Sequence, residues 1–144
     1  MKLHFIFFLS IFPLIYCLGE DQPDRIPEGY SVRTIDTPPG VFLGIGGMEF
    51  SPDGTLFVCT REGEVWKYSL NDGKWFLFAD GLHEALGIWI DQNNGEIYVI
   101  HRPEITKLID SDGDGRADLY KTVNAGWGVT DNYHEYAFGL VRNR

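Results

Sequence analysis

Ser51-Pro52-Asp53-Gly54-Thr55-Leu56-Phe57-Val58 and Gln92-Asn93-Asn94-Gly95-Glu96-Ile97-Tyr98-Val99 read as two copies of one phrase once Gly54 is laid on Gly95, a shift of 41 residues. The same shift puts Arg61 on Arg102, and one deletion later Asn71-Asp72-Gly73 falls on Ser111-Asp112-Gly113. Each copy is a turn rich in Gly, Asp and Asn followed by a β-branched and aromatic run, the pattern of a hairpin entering a strand. A period near 41 is the length of about four short strands with their turns, one blade of a β-propeller.

Working outward, the first unit offers strands at 46–50, 55–60, 64–70 and 74–78, and the second at 86–90, 96–100, 105–109 and 118–122. No stretch combines helical periodicity with caps, so the expected class is all-β. The expectation is a propeller fragment: two four-stranded blades, at about 45–80 and 86–122, with a third beginning at about 134. A four-stranded unit carrying Phe57, Trp66, Trp75, Phe78, Trp89 and Tyr98 has two apolar faces to cover, so each unit needs a neighbour on either side. A ring closes with about four blades or more, which implies further blades beyond those seen here. Residues 20–40 are then an N-terminal extension with a lead-in strand, and 41–144 the partial propeller.

The N-terminus reads differently. Lys2, the apolar run from Leu3 to Phe12 and the change to Glu20-Asp21 have the order of a secretion signal over residues 1–19. A retained membrane anchor and a lipid on Cys17 are the alternatives. The expected location is the periplasm or the cell exterior, with membrane association open. The formal charge of -9 and pI near 4.7 exclude nucleic acid as a partner. With the signal removed, Cys59 is the one cysteine left, which excludes a disulfide-stapled fold and any CxxCH haem attachment in this chain. It sits in an apolar run and reads as a buried structural thiol.

Two sets of polar residues stand out. Asp110, Asp112, Asp114 and Asp118 occupy positions 1, 3, 5 and 9 of a glycine-containing loop, with the Arg116 carbonyl at position 7, an arrangement of hard oxygens suited to calcium in a structural role. Position 12 is Lys121 rather than glutamate, so the loop is not an ordinary helix-loop-helix site. Solvated Asp-Gly turns are the alternative. His83-Glu84 and His134-Glu135 each precede the opening of a unit, where loops of neighbouring blades converge, and a histidine beside a carboxylate is a general base with an orienting partner. Arg61 and Arg102 follow equivalent strands, placed to reach a ligand or to pair with Glu62 and Glu104.

Taken together, Gly46-Gly47-Met48-Glu49-Phe50, Gly63-Glu64-Val65-Trp66, Gly81 to Gly87, His101 to Leu108, Asp112 to Asp118, Trp127-Gly128 and Asn132 to Gly139 resemble the secreted bacterial propellers related to glucose/sorbosone dehydrogenases. Such propellers are common in large secreted planctomycete and verrucomicrobial proteins, often joined to a cytochrome c module. The resemblance spans residues 28–142 and implies a six-bladed parent. It also implies oxidation of a sugar or alcohol with pyrroloquinoline quinone, electrons passing to a cytochrome whose haem lies in a partner domain. On that reading His83 and His134 are the catalytic candidates, and Arg61, Arg102 and Asn132 the cofactor-binding ones. The aspartate loop departs from the quinone-side calcium site of those enzymes. The rival expectation is a non-catalytic propeller that binds extracellular glycan through Trp127, Tyr133 and Tyr136.

Overall fold

The computed structural model describes residues 26–132 and 135–141. The chain divides into two units, Met1–Thr34 and Ile35–Arg144. In the first, the described residues form a turn closed by Tyr30 N to Pro27 O, 3.1 Å, and leave Tyr30 and Val32 exposed. No strand precedes Ile45 among the described residues, so the anticipated lead-in strand is absent there and residues 26–44 run through turns and irregular chain.

The second unit is all-β. Among the described residues, eight strands form two four-stranded antiparallel sheets, each in sequential order. The first contains β1 (Ile45–Phe50), β2 (Leu56–Thr60), β3 (Val65–Ser69) and β4 (Lys74–Ala79). The second contains β5 (Gly87–Ile90), β6 (Ile97–His101), β7 (Glu104–Ile109) and β8 (Leu119–Asn124). The described residues include no helix. Gly54 and Gly95 occupy equivalent turns, β1–β2 and β5–β6, at φ of 84° and 74°, a backbone region that glycine enters without a Cβ penalty. The two sheets differ in the last hairpin: residues 70–73 join β3 to β4, whereas 110–118 join β7 to β8. Asp118 lies just before the strand, at the end of that longer loop, its carboxylate oxygens accepting from Ser111 N and Oγ and its own N–H donating to Ile109 O at 3.0 Å.

Cross-strand pairing decides which side chains share a face. Phe57, Cys59, Val65, Phe78 and Ala79 of the first sheet meet Ile88, Ile90, Ile97, Val99 and Leu108 of the second, with Leu82 and Ala85 of the connecting link between them. Phe57 and Phe78 meet edge to face at 5.3 Å. Cys59 is wholly buried there; burial, outweighing its backbone hydrogen bonds, raises the thiol to about 12. It is a core residue without thiolate character at neutral pH.

The aspartate loop ties the second sheet back to the first. Lys67 Nζ donates to Gly115 O at 2.5 Å, Ala117 N to Phe78 O at 2.7 Å, and Arg116 pairs with Asp80 at 2.5 Å. Tyr120 Oη donates to Asp80 O at 3.0 Å, extending the same seam.

Candidate functional site

The site is built by the link between the sheets. Residues 80–86 leave β4 and cross the tips of the β2–β3 and β6–β7 turns, held by Leu82 N to Gly63 O at 3.0 Å and Arg102 N to His83 O at 2.8 Å. Gly63 is needed for this approach, since a Cβ on it would lie 1.9 Å from Leu82 O and its φ is +91°. Glu84 sits at φ 54°, the one non-glycine residue with positive φ among the described residues. A side chain held in that region points to a compensating interaction elsewhere in the site.

That interaction is a pair of guanidinium groups with an imidazole beside them. Arg102 Nη1 donates to Glu84 Oε2 at 2.9 Å, Arg61 Nη2 lies 3.7 Å from Oε1, and His83 Nε2 lies 3.8 Å from Oε2. Both guanidinium groups stand over the Tyr136 ring, at 5.7 Å for Arg61 and 5.2 Å for Arg102. Burial of Glu84 opposes its ionisation, but the hydrogen bond from Arg102, with the charges of Arg102 and His83, outweighs it and holds the carboxyl below its ordinary value. Arg102 is further fixed by Nη2 to Thr130 O, 2.5 Å, and by Trp127 Nε1 donating to its carbonyl at 3.0 Å. A cleft of about 350 Å³ opens beside it, lined by Arg102, Trp127, Glu135 and Tyr136 among others.

The structure therefore brings Arg61, His83 and Arg102 together on Glu84. The arginines do not pair with Glu62 and Glu104: Glu62 accepts from Gly44 N at 3.2 Å, and Glu104 accepts from Thr106 and Thr122. His83 presents its ring to solvent, 63% exposed, with a carboxylate beside it. Asn132 lies on the rim, donating through Nδ2 to Glu135 Oε1 at 3.0 Å. His134 and Tyr133 lie outside the described residues. Tyr136, offered as a stacking platform for glycan, lies instead beneath the two guanidinium groups. Glu84 as the centre, and the buried His101 behind it, are what sequence reasoning missed. The available signal was that His101 stands where the first unit has Thr60.

Asp110, Asp112 and Asp114 each place a carboxylate oxygen within 4.8 Å of the others. Asp110 also accepts from the amides of Gly113 and Gly115, Asp112 from Asp114 N and Asp114 from Arg116 N. Asp118 does not join the three. The Arg116 side chain is directed to Asp80, leaving its carbonyl as the group relevant to a cation. A larger cleft, about 480 Å³, lies between the two repeated turns near Ser51, Asp53, Lys67 and Asn93. Its polar groups are engaged in local structure: Asp53 with Ser51 and Thr55, Lys67 with Gly115.

Comparison with known proteins gives one similarity. The chain is 29% identical over 122 residues to the glycine betaine-binding periplasmic protein OusX of Dickeya dadantii (strain 3937), an alignment covering 74% of this chain and 36% of that protein. The chain thus spans little more than a third of that relative's length. No protein-family model matches the chain, and no solved structure does.

Proposed function

We propose that this chain forms two blades of an extracytoplasmic β-propeller of the sugar or alcohol dehydrogenase type, with His83 as the base that takes the substrate hydroxyl proton. The observation that carries the catalytic part is the exposed His83 imidazole held 3.8 Å from an ionised Glu84, whose own position is set by Arg61 and Arg102. A neutral imidazole accepts the proton, and the adjacent carboxylate stabilises the imidazolium that forms. The apolar N-terminal run and the similarity to a periplasmic protein support export.

The propeller reading is supported by the equivalence of the two sheets. Met48 and Phe50 pair with Val58 and Leu56 just as Ile88 and Ile90 pair with Val99 and Ile97. Yet Met48 is 58% and Phe50 49% exposed, against 6% and 0% for Ile88 and Ile90, which pack on the first sheet. The outward face of the first sheet is thus equivalent to a face that the second sheet buries against its neighbour. At its edge Trp75 Nε1 donates to Asp36 O, 2.7 Å, as Tyr120 Oη does to Asp80 O. Such faces are covered by another sheet of the same kind in radial repeats.

Pyrroloquinoline quinone, the acceptor implied by the resemblance, carries carboxylates that guanidinium groups would bind. Arg61 is 44% exposed and suits that role, whereas Arg102 is committed to Glu84, Thr130 and Tyr136, and Asn132 to Glu135. As a set these residues do not fit the quinone, and the chain's own contribution is the proton side of the oxidation. A quaternary ammonium ligand such as betaine needs open aromatic faces, and the Tyr136 face is taken by two guanidinium groups. The test is oxidation of sugars and alcohols by the full-length protein, with an artificial two-electron dye as the acceptor of the hydride. His83→Gln is expected to lower kcat about a hundredfold with an unchanged melting temperature. Unchanged turnover in the variant removes His83 from the chemistry; tight glycan binding without turnover in the wild type establishes the non-catalytic alternative.

The aspartate loop is proposed to take calcium in a structural role, through Asp110, Asp112, Asp114 and the Arg116 carbonyl. Because the loop joins the sheets, calcium is expected to raise the melting temperature in proportion to the logarithm of its concentration above Kd. Asp112→Asn should flatten that response. A melting temperature indifferent to millimolar calcium would show the loop to be a metal-free turn.

A further inference from the structure

We propose that His101 is a positioning residue for His83, a neutral imidazole that carries its proton on Nε2 and accepts the His83 backbone N–H at Nδ1. The inference rests on the proposed role of His83, but its geometry stands separately. His101 ends β6 and is buried, with Nε2 2.9 Å from Thr106 Oγ1 and Nδ1 3.3 Å from His83 N.

The direction of each hydrogen bond follows from donor capacity. Thr106 has one hydroxyl proton and directs it to Glu104 Oε1 at 2.5 Å, while Thr122 donates to Glu104 Oε2 at 2.8 Å. The Thr106 bond first, opposed by burial, and then the Thr122 bond hold Glu104 below its ordinary value, so it is ionised and only accepts. Thr106 Oγ1 must then accept from His101, which places the imidazole proton on Nε2. In a neutral ring Nδ1 keeps its lone pair, and that lone pair faces His83 N–H. A second proton on Nδ1 would set two donors against each other.

The imidazole is kept neutral by its surroundings. Burial lowers its pKa, the main effect, and the His83 charge adds to it, while Glu104 opposes both. The peptide of His83 is therefore gripped on both sides, N–H by His101 and C=O by Arg102 N, at 3.3 and 2.8 Å, just before Glu84 enters its positive φ. The network runs from β8 and β7 through the end of β6 into the link, so the depth of the second sheet holds the residue whose ring is solvent-exposed.

The first sheet supplies the contrast. At the position of His101 it has Thr60, also fully buried, whose Oγ1 accepts from Glu64 N at 3.2 Å within its own turn. Thr60 is adequate to close the turn, so the histidine is a departure from the repeat that reaches outside it, to the catalytic candidate.

The experiment uses the full chain with ¹⁵N-labelled histidine. His101 should show a protonated Nε2 and an unprotonated Nδ1 at neutral pH, a spectroscopic signature that a space-filling ring has no reason to fix. His101→Asn retains an acceptor near the Nδ1 place, whereas His101→Gln retains a polar group only near the Nε2 place. The His83 amide is expected to exchange its hydrogen about tenfold faster in the glutamine variant and close to the wild-type rate in the asparagine variant. A protonated Nδ1 in the wild type, or equal His83 exchange in wild type and both variants, overturns the proposal. Should the variants not fold, the wild-type tautomer still decides it. If tautomer and exchange behave as described while no sugar or alcohol is oxidised, the dehydrogenase reading fails and the positioning of His83 does not.

Discussion

Glu84→Ala is expected to lower the unfolding free energy by about 3 kcal/mol, close to the loss typical when one partner of a largely buried ion pair is removed. The reason lies in what remains. Arg102 is only 14% exposed, and its guanidinium would stay beside the Tyr136 ring and the Thr130 carbonyl with no carboxylate to balance it. Arg61, half in solvent, would lose less. Glu84→Gln keeps an acceptor oxygen without the charge and should fall between wild type and alanine, separating hydrogen bonding from ion pairing. Urea denaturation of the three proteins at neutral pH makes the measurement, and equal midpoints for wild type and Glu84→Ala would show that the cluster contributes nothing to folding.

The same cluster gives stability a pH dependence of defined sign. A folded pKa below the unfolded one means that the unfolded state binds protons more readily, so stability falls as pH falls. His101 lies below its ordinary 6.5 through burial, and its contribution begins to be lost as pH drops under that value. Glu84 and Glu104 lie below their ordinary 4.5, and their contributions begin to go under that value and are lost through their depressed folded values.

The strands were legible because they are short-range objects. Gly54 and Gly95 marked equivalent turns, and each following run carried its β-branched and aromatic residues on from the turn, so strand ends came within a residue or two. β8 runs Leu119–Asn124 rather than 118–122, since Asp118 closes the aspartate loop through Ser111 while its N–H already reaches Ile109 O. For the site, repetition exposed Arg61 and Arg102, and adjacency exposed His83. It could not give their common partner, since Glu84 meets both arginines only after the link has crossed two hairpin tips. Proximity in sequence suggested Glu62 and Glu104 instead. His101, at the end of the strand that Arg102 follows, is ambiguous in sequence because its partners, His83 N and Thr106 Oγ1, lie in other elements.

Gly46→Ala is the second large effect, expected to cost about 3 kcal/mol, the upper part of the range for overpacking a tight contact. Gly46 is the second residue of β1, where a Cβ would lie 2.1 Å from Ala85 O and 2.9 Å from Leu86 Cα. Both obstacles are backbone, so no rotamer change relieves them. The strand or the link must move, which opens the core formed by Cys59, Ala85 and Ile88. Gly47, which faces Cys59 as Gly87 faces Ile100, is crowded in the same way: its Cβ would lie 3.1 Å from Gly87 Cα, and a Cβ on Gly87 would lie 2.9 Å from Gly139 Cα. These glycines thus mark close backbone approaches, a requirement of packing and not of dihedral freedom. Gly54 provides the control, with φ at +84° and nothing within 4 Å of a Cβ, so that Gly54→Ala carries strain alone, about 1–2 kcal/mol. Denaturation midpoints should therefore fall further for Gly46→Ala than for Gly54→Ala. The reverse order would mean that the two sheets are not in backbone contact at Gly46, and that the link carrying His83 and Glu84 is not held against the first sheet in the way described.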